Sequence, residues 1–209
     1  VSANLTTPNI GVANGDSLTA TGTVSGAGTQ ELVTSINVTG TGDSAAIAVD
    51  NCFTSTYTAY RVVIWDMMNN NGTDSVTPRW VFRTGGSSGS DYTGSNYNAR
   101  VIRGYSGHTN TQYDNSSGAA FYHVGFYGTQ LGSADNNSGL LDFRIFNTNG
   151  SQLKCVWDYV ADHGGTDTDT VWNNGGGALS QTTAVTGFKL YSESSKAFTH
   201  YRIRVFGIK

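Results

Sequence analysis

Four carboxylates and a histidine crowd one short segment, Asp158-Tyr-Val-Ala-Asp-His-Gly-Gly-Thr-Asp-Thr-Asp-Thr170. A hard cation such as Ca2+ takes several oxygen ligands, and Asp167 and Asp169, two positions apart, can turn both carboxylates to one side of a loop. The segment lacks the ligand series and terminal Glu of an EF-hand. The simpler reading is a solvated loop held by Asp-to-backbone hydrogen bonds. Hydrolytic chemistry has less to draw on. His108, His123, His163 and His200 are scattered, without the His-Glu-x-x-His or Gly-x-Ser-x-Gly spacing that sets a zinc ion or a serine nucleophile in place. Hydrolysis by paired acids needs two carboxylates at a fixed separation in a cleft, which spacing across loops does not specify. Gly85-Gly-Ser-Ser-Gly89 and Gly175-Gly-Gly177 lack the Lys-Ser/Thr that follows a phosphate loop, and read as hairpin tips. The expectation is a protein that is not an enzyme and has no cofactor, with Ca2+ the one candidate metal.

Aromatic residues offer a second kind of chemistry. Tyr92 and Tyr97 lie in Asp91-Tyr-Thr-Gly-Ser-Asn-Tyr-Asn98, and Tyr105, His108 and Tyr113 follow in a similar Gly-, Ser- and Asn-rich setting. Rings in such a context suit adaptable recognition loops, where sugars stack on the ring and meet amides and hydroxyls at its edge. Trp172, between Asp169 and Asn173, reads as a further loop anchor. The competing reading folds the tyrosines back over the rim of the domain. Trp65, Trp80 and Trp157 are expected in the core.

The elements that must position these residues are strands. The chain has 209 residues, enough for one main domain. Only 13% of residues are charged and the net charge is −3, too little and of the wrong sign to neutralise a phosphate backbone, so no nucleic-acid partner is expected. No run of apolar residues is long enough for a membrane helix, and no membrane insertion is expected. Aromatic residues make up 11% of the chain, so an aromatic-rich core is expected. Tyr60-Arg-Val-Val-Ile-Trp-Asp-Met67 mixes β-branched and aromatic side chains as a central strand does. Leu141, Phe143 and Ile145, then Tyr201, Ile203 and Val205, alternate with polar neighbours as half-buried antiparallel strands. Further strands are expected at 31–39, 45–50, 79–83, 99–103, 119–127, 153–161 and 184–191. Gly- and Asn-rich clusters at 69–72, 85–89, 133–139, 147–150 and 173–177 read as the turns between them. The pattern predicts an all-β, antiparallel β-sandwich, jelly-roll-like, over residues 31–209. Residues 1–30 carry no aromatic side chain and read as an extended N-terminal arm or linker. Cys52 and Cys155 are too far apart for a metal motif and leave open two buried thiols or a disulfide.

Three segments together resemble the small β-sandwich virion proteins of tailed bacteriophages, found as head-decoration, tail-fibre or receptor-binding modules. They are Val49-Asp-Asn-Cys-Phe-Thr-Ser-Thr-Tyr57 running into Tyr60-Arg-Val-Val-Ile64, Ala184-Val-Thr-Gly-Phe-Lys-Leu-Tyr191, and the Arg204-Val-Phe-Gly-Ile208 ending. Phe206 stands where many relatives have Tyr. The resemblance implies a virion location, a homo-oligomer with a trimer favoured, other capsid or tail proteins as partners, and no cofactor. A glycan-binding receptor-recognition or secreted lectin-like domain shares the same composition and is the alternative, with a cell-surface glycan as its ligand.

Overall fold

The computed structural model describes residues 30–39, 46–69, 78–94, 96–105, 108–114, 122–124, 139–162, 170–192 and 198–209. For Asn69, Arg103, Tyr105, residues 108–114, His123 and Asp162 the description is of the backbone alone. Apart from Gln30, the expected arm lies outside the described residues, as do Asp167, Asp169 and His163 and the turn clusters at 70–72 and 133–138.

Thirteen strands are described: β1 (Gln30–Val38), β2 (Ala46–Val49), β3 (Ala59–Asn69), β4 (Pro78–Thr84), β5 (Ser90–Asp91), β6 (Tyr97–Tyr105), β7 (His108–Asp114), β8 (Tyr122–His123), β9 (Gly139–Phe146), β10 (Gln152–Asp162), β11 (Thr170–Ser180), β12 (Gly187–Ser192) and β13 (Phe198–Ile208). They form an eight-stranded sheet in the order β1-β13-β3-β9-β10-β11-β6-β7 and a five-stranded sheet, β2-β12-β4-β5 with β8 also on β4. Every pairing is antiparallel. The all-β antiparallel sandwich is therefore present; jelly-roll connectivity is not established by this strand order.

Side-chain alternation decides which face of each strand enters the core. Leu141, Phe143 and Ile145 of β9 are buried, and so are Tyr201, Ile203 and Val205 of β13, while Arg202 stays exposed. At the centre, four rings lie nearly parallel across the two sheets. Phe188 stacks on Trp80 (centroids 4.3 Å apart, 7° between planes). Trp80 stacks on Phe143 (4.1 Å, 4°), and Phe143 on Trp157 (5.4 Å, 3°). Phe188 and Trp80 come from the smaller sheet, Phe143 and Trp157 from the larger, so the stack joins the layers. Tyr97 and Tyr122 meet edge to face beside it (4.9 Å, 81°). Offset and edge-on geometries suit the ring quadrupoles and add to the area buried.

The three segments that carry the phage resemblance meet in space. Phe53 contacts Tyr60 (4.7 Å) and Phe188 (6.0 Å), and Tyr57 contacts Tyr60 (5.7 Å). The Tyr60 hydroxyl accepts from the Thr54 N–H at 2.5 Å and donates to the Thr54 carbonyl at 2.6 Å. The Thr58 N–H donates to the Ile208 carbonyl at 3.0 Å, which ties the turn before β3 to the chain's last strand. A Cβ on Gly207 would lie 2.4 Å from the Tyr57 ring. Glycine in the Phe206-Gly-Ile208 step is thus the seat of an aromatic side chain.

Two expectations are corrected. Gly175-Gly-Gly177 is not a hairpin tip: it runs through the middle of β11, paired with both β10 and β6. The cause is steric. Trp157, opposite Gly175 on β10, lays its indole where a Cβ would stand, 2.2 Å from Cε2, and the Tyr122 ring does the same at Gly177, 2.7 Å from Cε1. Large rings need backbone beneath them, and glycine provides it. Trp65 is not in the core either. Val62 and Ile64 face inward, so Trp65 faces out, half-buried, with the Arg204 guanidinium 5.3 Å from its ring centroid. A bulge at Asp66, whose φ is 54°, then shifts the register and turns Met67 and Met68 inward. By contrast, Gly85 and Gly86 (φ 90° and 66°) and Asn147 (φ 63°) are the turns expected of them.

Candidate functional site

Cross-strand registers set the outward side chains of the eight-stranded sheet in rows. Gly104, Trp172, Val160 and Leu140 form one row. The next holds Ile102, Asn174, Asp158, Asp142 and Val63. A third runs Arg100, Gly176, Val156, Arg144, Arg61, Phe206 and Leu32. Phe146 stands in a fourth, between Lys154 and Ala59.

Ion pairs bind the middle of this face. Arg61 grips Asp142 with two nitrogens, Nε to Oδ1 at 3.0 Å and Nη2 to Oδ2 at 2.7 Å. This charge-assisted pairing with Asp142 raises the Arg61 guanidinium above its ordinary value. Arg144 lies between two carboxylates, 3.8 Å from Asp142 and 3.4 Å from Asp158. Asn174 Nδ2 donates to Asp158 Oδ1. Exposed pairs contribute little stability. What this ladder does is fix side-chain positions across β11, β10, β9 and β3 and match its two arginines with two carboxylates.

At one end of the ladder lies an open groove of about 280 Å3, lined by Ile102, Asp158, Val160, Trp172 and Asn174 among others. Trp172 is 40% exposed. Its indole lies over its cross-strand neighbour: a Cβ on Gly104 would stand 2.3 Å from Cε2 and Nε1. One side of the ring therefore rests on the sheet. At the other end, Val156 and Phe146 are each 43% exposed, and Leu32 is exposed beyond them beside Phe206.

Of the expected ligand-binding residues whose side chains are described, Trp172 is the one placed on this surface, on a strand instead of a loop. Tyr105 lies on β6 opposite Val171, one pair along from Gly104. Tyr97 belongs to the core, which corrects its assignment to a binding loop. Its hydroxyl accepts from the Phe82 N–H and donates to the Tyr92 carbonyl, both at 2.9 Å, and burial pushes its pKa up. Tyr92 is half-buried and donates to the Ser180 carbonyl at 3.4 Å. Ser180 is eight residues along β11 from Trp172, about 26 Å at strand rise, so Tyr92 and Trp172 do not share a site. Sequence reading missed Asn174, hidden in the supposed hairpin tip, and Ile102. It noticed Asp158 only as one member of an acidic cluster.

The smaller sheet carries its own ion cluster. Arg83 pairs with Asp50 and with Asp91, both at 2.5 Å, and Lys189 also reaches Asp91. Arg83 further donates to the Gly89 carbonyl, so the cluster staples the Gly85–Gly89 turn to the sheet. Both cysteines are free and buried, and burial pushes each thiol up to about 12. Neither is a nucleophile at neutral pH. Among the described residues, no group of three His, Cys, Asp or Glu side chains is placed to hold a metal ion, and no helix is long and apolar enough to cross a membrane. No family model, curated protein or solved structure matches the chain.

Proposed function

We propose that the chain is a non-enzymatic structural component of a tailed-bacteriophage virion, a capsid-decorating or tail-fibre-type module that assembles as a homo-oligomer, with a trimer the favoured form. One observation carries the reading: the exposed apolar residues on the outer face of the large sheet, Val156 and Phe146 in adjacent rows and, beyond Arg144 and Arg61 in the row of Val156, Leu32 beside Phe206. Large apolar side chains exposed together on one sheet face are a mark of an interaction site. The charges among them, Arg61, Arg144, Asp142 and Asp158, already neutralise one another. A second copy would bury apolar area there with those four charges already paired.

Two further points support the reading. Asp50, Asp91, Asp142 and Asp158 each sit against a cation, and both thiols are buried. The segments resembling phage virion proteins also form one packed unit around Tyr57, Tyr60 and Phe188. The basic side chains of the ladder are paired with carboxylates, which is no footprint for a nucleic acid. Mass spectrometry of purified particles from the encoding phage should find the chain at a stoichiometry like that of other capsid or tail proteins. Particles that contain none of it while the chain accumulates in infected cells would sink the proposal.

A further inference from the structure

The groove beside Trp172 is the second distinct feature of the outer face. It occupies the two rows next to that of Val156, with Asp158 about 7 Å and Val160 about 13 Å from Val156 along β10, and differs from the apolar residues there in kind. Registers make it a two-by-three array: Gly104, Trp172 and Val160 in one row, Ile102, Asn174 and Asp158 in the next. Because the indole covers Gly104, it lies along the sheet and turns its other side outward. Beside this platform stand an amide and a carboxylate held in mutual register by the hydrogen bond from Asn174 to Asp158.

We propose that this groove binds a neutral sugar ring. A pyranose has an apolar face of C–H groups and a rim of hydroxyls, and the array offers a partner to each. The C–H face stacks on the Trp172 indole, with Ile102 and Val160 flanking it. Rim hydroxyls donate to the Asp158 carboxylate and meet the remaining donor and acceptor of the Asn174 amide. Charge selects against other ligands. Asp158 is the one carboxylate of the array and Arg144 is 3.4 Å from it, so neither a divalent cation nor an anion finds a matching field. A groove of about 280 Å3 accepts a sugar ring more readily than a peptide segment. The site is independent of the virion reading, because it would work on a monomer or on an assembled module.

The test is saturation-transfer NMR on the full chain with methyl β-galactoside, methyl β-glucoside, methyl α-mannoside and methyl N-acetyl-β-glucosaminide. At least one should receive saturation concentrated on the ring protons of one face. Trp172→Ala and Asn174→Ala should each weaken that binding by at least about tenfold, while Trp172→Phe keeps most of it. Lys154→Ala, on the outlying row, should leave it unchanged. If Trp172→Ala fails to fold, Asn174→Ala, a change at an exposed position, decides the matter. Absence of saturation on all of these glycosides, or binding unaltered in Asn174→Ala, overturns the proposal. So does a Trp172→Ala variant that leaves sugar binding intact and lowers only the oligomeric mass, which would make the groove part of a protein interface.

Discussion

Gly175→Val should destabilise the fold by about 3 kcal/mol or more, lowering Tm by roughly 6–12 °C, whereas Gly176→Val, one residue on, should be neutral or slightly stabilising. The two glycines point to opposite faces of β11. At Gly175 an added Cβ lands 2.2 Å from Trp157 Cε2. Trp157 cannot retreat, because it is stacked on Phe143, which is stacked on Trp80. Relieving the clash means unpacking the centre of the core. At Gly176 the nearest atoms to an added Cβ are the Cys155 carbonyl oxygen at 3.6 Å and Val156 Cγ1 at 3.7 Å, ordinary contact distances. There a β-branched side chain replaces a residue that weakens strands. Thermal denaturation of the two variants side by side checks the contrast. Equal melting temperatures would mean that Gly175 does not lie under Trp157.

Trp80→Ala should cost about 3–5 kcal/mol. Trp80 is fully buried and has a ring on each side, Phe188 at 4.3 Å and Phe143 at 4.1 Å, one from each sheet. Its removal leaves a cavity where the two layers join, and rigid neighbours cannot collapse into it. Trp80→Phe should cost less, for a reason beyond size. Trp80 Nε1 is buried without a hydrogen-bond partner among the described residues, so the phenyl ring forfeits no hydrogen bond there and leaves no polar atom stranded. Urea titration of both variants tests the order. A Trp80→Phe variant as unstable as Trp80→Ala would show that volume is not what the position supplies.

These effects explain what was legible in the sequence. Alternation in β9 and β13 depends on one face being buried, so Leu141, Phe143 and Ile145, like Tyr201, Ile203 and Val205, announced their own orientation. Gly175-Gly-Gly177 did not, because glycine marks both a turn and the floor beneath a large ring, and only the partner strand tells which. Reading those residues as a turn also moved Trp172 into a loop and concealed Asn174, two positions along the same face. Trp65 faces out by the same alternation that buries Val62 and Ile64, and its size alone suggested the core; what leaves no trace in the period of β3 is the bulge at Asp66, which turns Met67 inward. The groove depends on registers among β6, β10 and β11. Ile102, Asn174 and Asp158 are distant in sequence, and no spacing brings them together.

Light-scattering mass of the full chain, measured for the wild type and for a variant carrying Val156→Glu and Phe146→Glu, tests most directly whether the outer face of the large sheet is the assembly surface. Each new carboxylate would face a cation across the ladder, Arg144 for position 156 and Lys154 for position 146, so the fold should persist, with circular dichroism unchanged. The expected result is a wild type at a multiple of the chain mass, a trimer favoured, and a variant at the mass of one chain. A wild type that stays monomeric at every concentration, or a folded variant whose mass matches the wild-type oligomer, would contradict it.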